Sequence, residues 1–326
     1  MQQTAEKSHY RQFSVAPMMA WTDRHYRMLA RSISRHAVLY TEMVTTGALR
    51  HSDPARHLDY NAQEHPVVLQ VGGSEPDDMA YAAELAERWG YAAVNINCGC
   101  PSPRVQRGAF GACLMQTPET VAACAKAMQA ASSLPVTVKC RIGVDRDDAY
   151  EPLLHFVSTL ADVGVSHFDV HARKAWLDGL SPAQNREIPP LRYGYVKRLK
   201  SELPALTIIL NGGLSDWETV EREWVSLDGV MVGREAYRNP WFLADVDRQV
   251  AGEAGPVSRM AVAAAYRDYV LDQIDAGVPL MACCKHVLGL FNGLPGARQF
   301  RRQLSEHGPR APTDIGVLDR ALECVA

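Results

Sequence analysis

Val136-Thr137-Val138-Lys139-Cys140 is a near-continuous apolar run interrupted, near its end, by a lysine. A parallel strand covered by helices on its outer face reads as an unbroken Val/Ile/Leu run. Packing gives such a strand no reason to end on a polar group. The same combination recurs on either side. Candidate strands fall at Ser14–Pro17, Val38–Thr41, Val67–Val71, Ala93–Asn97, Val136–Cys140, His167–Val170, Thr207–Leu210 and Gly229–Val232. The intervening segments carry helix signals, such as Pro118 opening Glu119–Ala131 and Ser215 capping Asp216–Trp224. Eight strand–helix units in about 245 residues have the size of a (β/α)8 TIM barrel.

The residues at or just past the strand ends are Met18, Glu42, Gln70, Asn97, Lys139, His171, Asn211 and Gly233. Barrel active sites form where the C-terminal ends of the strands converge, so these eight positions share one mouth. A doubly wound sheet would also alternate strands and helices, but would not aim all eight ends at one point. The expected fold is therefore α/β, a TIM barrel. After Asp245 the pattern changes. Gly252–Pro256 reads as a linker, followed by helices at Arg259–Ala276, Leu280–Phe291, Ala297–Glu306 and Asp314–Val325, with breaks at Asn292–Gly296 and Gly308–Pro312. The expected division is a catalytic barrel over residues 1–250 and an all-helical domain over 251–326.

A 47% hydrophobic and 22% charged composition excludes disordered and fibrous classes. The polar run Met1–Phe13 has no apolar signal-peptide core, and no apolar run reaches the roughly 18 residues of a membrane span. A cytoplasmic monomer with no membrane partner is expected. The cysteines, Cys98, Cys100, Cys113, Cys124, Cys140, Cys283, Cys284 and Cys324, lack zinc-knuckle spacing, so no metal site and mostly buried thiols are expected. Net charge is −3, yet His171–Lys200 and Lys285–Arg310 together carry +9. One face is thus suited to a polyanion.

Several constellations carry chemistry. Asn211-Gly212-Gly213 after strand seven and Gly233-Arg234 after strand eight let backbone N–H groups and an arginine approach a phosphate. Ala16-Pro17-Met18 offers a flat apolar surface with free carbonyls. Gln70 can donate to and accept from an amide-like ring edge. Lys139 can place a cation beside a ring that becomes anionic on reduction, and His171 can reach a phosphate or ribityl oxygen. Platform, amide, cation and phosphate clamp together describe flavin mononucleotide, FMN. No G-x-G-x-x-G follows any strand, so a nicotinamide donor would have to visit the flavin face that the substrate later uses. The loop Asn97-Cys98-Gly99-Cys100-Pro101-Ser102, continuing to Gly111–Met115, brings thiols to the mouth. A thiol with a pKa near about 8.5 is mostly protonated at neutral pH and can act as an acid. Arg173, Lys174, Trp176 and Arg186 after strand six, and Arg298, Arg301 and Arg302 on one face of a tail helix, suit RNA.

These residues resemble a known family. Ala16-Pro17-Met18, Gln70-Val71-Gly72-Gly73, Asn95–Ser102, Gly111-Ala112-Cys113-Leu114-Met115, Val138-Lys139-Cys140-Arg141 and Asn211-Gly212-Gly213 are similar to the tRNA-dihydrouridine synthases. The stretches His171–Trp176, Asn185–Pro190 and His286–Phe291 resemble the bacterial DusA subfamily. The resemblance covers nearly the whole chain. It implies an FMN barrel and a helical domain that together clasp tRNA, with NADPH as reductant and D-loop uridines 20 and 20a as targets. Carried over by position, flavin contacts fall on Ala16, Pro17, Met18, Gln70, Lys139, His171, Asn211, Gly212, Gly213, Gly233 and Arg234. The acid falls on Cys100, and tRNA contacts fall on Asn97, Asn185, Arg186, Arg298 and Arg301. Cys98 departs from the family motif, where an apolar residue is usual.

Strand alternation and the turn that follows the strand separate the two thiols. Asn95 and Asn97 should face the barrel axis, while Val94, Ile96 and Cys98 face the helices. Gly99 then frees the chain to turn, and Pro101 holds Cys100 extended over the mouth. Two rival functions share part of this pattern. A flavin barrel dehydrogenase acting on a free pyrimidine such as dihydroorotate leaves the basic tail unexplained. An RNA-binding protein without catalysis leaves Cys100, Lys139 and Gln70 unexplained.

Overall fold

The computed structural model describes residues 12–147 and 149–326. It contains strands β1 (Gln12–Val15), β2 (Val38–Tyr40), β3 (Val44–Thr45), β4 (Val67–Gly72), β5 (Ala93–Cys98), β6 (Val136–Arg141), β7 (His167–His171), β8 (Thr207–Asn211) and β9 (Gly229–Val232). Every pairing is parallel. β2 pairs with both β1 and β4, the ladder continues through β5 to β9, and β9 closes on β1 with Gln12 opposite Gly229 and Val15 opposite Val232. β3 pairs only with β4, so it is an extension at the rim, and the other eight strands are the staves of a closed (β/α)8 barrel.

Closure divides each strand's side chains into two sets. The outward set, including Val94, Ile96, Val138 and Val170, joins the helices in the main apolar core. The inward set holds a small apolar layer of Ala16, Tyr40, Val68, Ala93, Ile209 and Met231, together with buried Gln70, Asn95, Thr137, Lys139 and Asp169. Most helices start as the sequence indicates, with Pro118 opening Pro118–Ala131. One cap differs: Asp216, not Ser215, caps Trp217–Trp224, its carboxylate accepting from the N–H of Thr219 at 2.7 Å. The helix begins one residue later than the sequence indicates, which puts Asp216 at the N-cap, where aspartate is as good a cap as serine.

The tail holds helices Arg259–Asp275, Ala297–His307 and Gly316–Glu323. Between the first two, the single helix expected over Leu280–Phe291 is instead a short helix, Leu280–Cys284, and a 3-10 turn, Val287–Gly289. The break lets the tail seat against the barrel. Lys285 and His286 place Nζ and Nε2 each 2.8 Å from the carboxylate of Asp23, which also caps helix Arg24–Ile33. Tyr266 donates its hydroxyl to the carbonyl of His25 at 3.0 Å, and Asn292 donates to the carbonyl of Arg238 at 2.7 Å.

Gly289 marks one close approach of the tail to the barrel. A Cβ there would lie 2.2 Å from the carbonyl oxygen of Arg238 and 3.0 Å from Cδ of Pro240. Gly289→Ala should therefore destabilise the protein by about 1–3 kcal/mol, as overpacking does. Chemical denaturation of the full chain reads this, and unchanged stability would show that the tail is not seated through this contact.

Candidate active site

The C-terminal strand ends open into one cavity of about 730 Å³, a size that suits a cofactor or small ligand. All the positions singled out for flavin, from Ala16 to Arg234, line it, and so do Cys100, Asn97 and Arg186. Gly212 and Gly213 turn with φ of +110° and +70°. A Cβ on Gly212 would sit 2.5 Å from the His171 ring, and one on Gly213 would sit 2.4 Å from Leu191. Only glycine closes this turn, which leaves backbone lining the cavity. Gly233 has nothing nearer to such a Cβ than Ala16 at 3.6 Å. Arg234, at the start of helix Arg234–Arg238, is ion-paired with Glu187.

Lys139 and His171 stand beside this cradle. Lys139 donates from Nζ to Oδ1 of Asn211 at 3.1 Å, and Asn211 donates to the carbonyl of Met231 at 2.7 Å. Burial pulls Lys139 down to about 8, while the Asp169 carboxylate acts in the opposite direction. Burial also holds His171 well below its usual range, reinforced by Arg141 and Lys139. A neutral imidazole results, able to donate from one nitrogen and accept at the other. Glycine turn, basic rim, amide and lysine form a donor set that fits a planar phosphorylated ring compound such as FMN.

Below the cavity, the inward polar groups form one continuous chain. Asn97 donates to Gln70 at 2.8 Å, Gln70 donates to Asn95 at 2.8 Å, and Asn95 donates to Thr137 at 2.8 Å and to Asp169 at 3.3 Å. At the upper end, Oδ1 of Asn97 accepts the backbone N–H groups of Gly99 and Cys100 at 3.2 and 3.0 Å. The two thiols separate because β5 ends at Cys98 and the chain turns there onto Oδ1 of Asn97. Cys98 ends β5 in the helix-facing core, fully buried, and burial pushes its thiol far up. Cys100 is half-buried and lines the cavity, its carbonyl accepting from the N–H of Ala112 at 2.9 Å.

The residues assigned to tRNA do not all sit alike. Arg186 lines the mouth. Asn185 does not: it is fully buried, with its Oδ1 accepting from the N–H of Trp176 at 2.7 Å and its Nδ2 donating to the carbonyl of Trp176 at 2.9 Å. Its amide folds the loop on itself, as the sequence signal of a polar residue in a basic loop could not distinguish. Asn97 borders the cavity, but its amide is engaged with Gln70 and the Cys100 loop. Arg298 and Arg301 lie on tail helix Ala297–His307, and Arg301 donates to Asn292 at 2.7 Å, the residue that holds the Arg238 carbonyl.

Arg141 went unassigned in the sequence. It is buried, donating to the carbonyls of Gly99 at 3.0 Å and Asn185 at 2.8 Å, so it ties the cysteine loop to the basic loop. Burial draws it down to about 10. Its place two residues after Lys139 on an alternating strand was the available signal. Trp21, stacked on Tyr237 at 4.4 Å, walls the cavity and carried no such signal. Among the described residues no cluster of His, Cys, Asp or Glu is arranged to hold a metal ion, and no helix is long and apolar enough to cross a membrane.

Comparison with known proteins agrees with this geometry. A family model described as dihydrouridine synthase (Dus) matches residues 14–322. A tRNA-dihydrouridine(20/20a) synthase of Shewanella oneidensis is 52% identical, over 97% of this chain and 94% of that protein. Proteins of the same name from Escherichia coli K12 and Yersinia pestis are 52% and 50% identical, over 96% and 99% of this chain and 91% and 94% of theirs. The chain therefore belongs to the dihydrouridine synthase family and is an oxidoreductase that acts on a carbon–carbon bond.

Proposed function

We propose that the protein is a tRNA-dihydrouridine synthase that reduces the C5=C6 bond of D-loop uridines 20 and 20a in tRNA, with FMN in the barrel mouth and NADPH as reductant. The observation that carries this reading is the convergence on one cavity of the glycine turn, Lys139, Gln70, His171 and the half-buried Cys100. The relatives' shared name supports the substrate. The dehydrogenase of a free pyrimidine is not favoured, because relatives half identical over nearly the whole chain carry the tRNA name.

In uracil, C5=C6 is conjugated to the C4 carbonyl, so hydride adds at C6 and a proton at C5. The hydride is the chemistry that FMN, once bound and reduced by NADPH, would supply. The remaining work falls to the chain. Cys100 gives its thiol proton to C5, and Arg141 and Asn97 hold its loop in place. Lys139 offers a cation to the ring edge that gains negative charge, Gln70 reads the ring amide, and His171 and the backbone at Gly212, Gly213 and Gly233 hold the phosphate end with Arg234. Ala16, Pro17, Met18 and Asn211 complete the seat. Arg186 meets RNA at the mouth, Asn185 orders that loop, and Arg298 and Arg301 meet the RNA backbone. The barrel, residues 1–250, carries the chemistry, and residues 251–326 carry the tRNA contacts.

The test is a pair of cysteine variants. Cys100→Ala should bind FMN and accept reducing equivalents from NADPH at normal rates, yet lose dihydrouridine formation by about a hundredfold, as removal of a general acid does. Cys98→Ala should retain turnover and lose about 1 kcal/mol of stability. The reverse pattern in tRNA reduction would refute the assignment. For the tail, Arg298, Arg301 and Arg302 replaced together should weaken tRNA binding and flatten its salt dependence by about 0.7–0.9 per lost phosphate contact. NADPH oxidation with a small acceptor should survive, and equal loss of both activities would point to folding instead.

A further inference from the structure

The inward-facing polar chain has two ends of fixed character. At one end stands Asp169, fully buried, whose Oδ2 accepts from the hydroxyl of Tyr40 at 3.0 Å and from Nδ2 of Asn95 at 3.3 Å. Its Oδ1 lies 3.3 Å from Nε2 of His167. A carboxylate can only accept. At the other end stand the backbone N–H groups of Gly99 and Cys100, which can only donate. Between them lie three amides, each able to face either way.

The ends settle every amide. Asn95 must turn its NH2 to Asp169, which leaves its carbonyl for Gln70. Gln70 must then give its NH2 to Asn95 and its carbonyl to Asn97. Asn97 in turn must give its NH2 to Gln70, and only its carbonyl remains for the Cys100 loop. Thr137, the other acceptor for Asn95, cannot impose this direction, because a hydroxyl both donates and accepts. Reversing any link strands an N–H against an N–H inside the barrel, where unsatisfied polar groups are costly.

We propose that Asp169 is a positioning residue for Cys100: the donors of the cysteine loop and the Asp169 acceptor demand the same direction of the amide chain, and Asp169 anchors its buried end, holding Asn95, Gln70 and Asn97 in the places on which the cysteine loop rests. This rests on the reading of Cys100 as the proton donor to uracil. A fully buried residue of β7 thereby steadies the loop that carries the thiol at the mouth.

Two substitutions at one position test it. Asp169→Leu removes the acceptor, whereas Asp169→Asn keeps a carbonyl able to serve Tyr40 and Asn95. With FMN saturating, the Leu variant should show kcat for reoxidation by unmodified tRNA lowered by about tenfold or more, as loss of alignment does. Its KM for tRNA and its reduction by NADPH should stay within about threefold, and the Asn variant should recover most of the lost rate. Retention of both half-reactions by a folded Leu variant, or their loss in parallel, would overturn the proposal. A second arm needs no turnover. In flavin-free protein, alkylation of Cys100 by iodoacetamide, relative to exposed Cys324, should change by about threefold or more in the Leu variant and not in the Asn variant. An unchanged ratio would overturn the positioning role. If the unaltered protein shows no tRNA half-reaction, the substrate reading fails and the alkylation arm still judges Asp169. Should Asp169→Leu not fold, Asn95→Ser cuts the chain one link later and is read by the same outcomes.

Discussion

The pairing of β9 with β1 is the constraint on which the rest of the molecule depends. Once Gln12 lies opposite Gly229 and Val15 opposite Val232, the ring of eight staves has no edge, and each stave must present one row of side chains to the helices and one to the axis. The outer row is satisfied by apolar packing. The inner row is too narrow for large side chains from every strand, and towards the mouth it becomes polar. The site is therefore a consequence of closure: Gln70, Asn97, Lys139, His171 and Asn211 reach one cavity because their strands share one axis and one direction.

Placing polar groups inside a barrel is costly unless each finds a partner. Here they largely satisfy one another, and the same hydrogen bonds that remove the cost also restrict motion. Asn97 cannot leave Gln70 without releasing the Cys100 loop. Arg141 cannot leave Gly99 without also loosening the loop that holds Asn185. Rigidity around the reacting atoms thus comes from polar groups needing partners in a dry interior. The tail follows a different rule: it seats through a few close contacts, Asp23 with Lys285 and His286, and Gly289 under the Arg238 carbonyl.

Much of this was legible in the residue order. Seven of the eight strand-end residues line the cavity, all but Glu42, whose carboxylate accepts from the N–H of Ala20; alternation along Val94-Asn95-Ile96-Asn97-Cys98 placed Cys98 among the helices, and the turn after it placed Cys100 at the mouth. What alternation could not show was which polar groups turn inward to each other and which remain for a ligand. Asn185 reads in the sequence as one more polar residue in a basic loop, yet it is consumed by the backbone of Trp176. Asp169 alternates with Phe168 and Val170 in the strand His167-Phe168-Asp169-Val170, and its hydrogen bonds appear only when Tyr40 and Asn95 arrive from other strands. Tail helix Leu280–Phe291 failed as a single element because its break is set by docking on the barrel, a tertiary contact no local pattern encodes.

The proposed function requires one cavity to serve first a nicotinamide donor and then a uridine of folded RNA. Anaerobic reduction of the purified protein by NADPH, followed by addition of either unmodified tRNA or free uridine, reads it directly through flavin absorbance. Bleaching by NADPH and rapid recovery of colour with tRNA alone are expected, with one dihydrouridine formed per flavin reoxidised. Recovery with free uridine at a comparable rate, or no flavin to bleach, would contradict it.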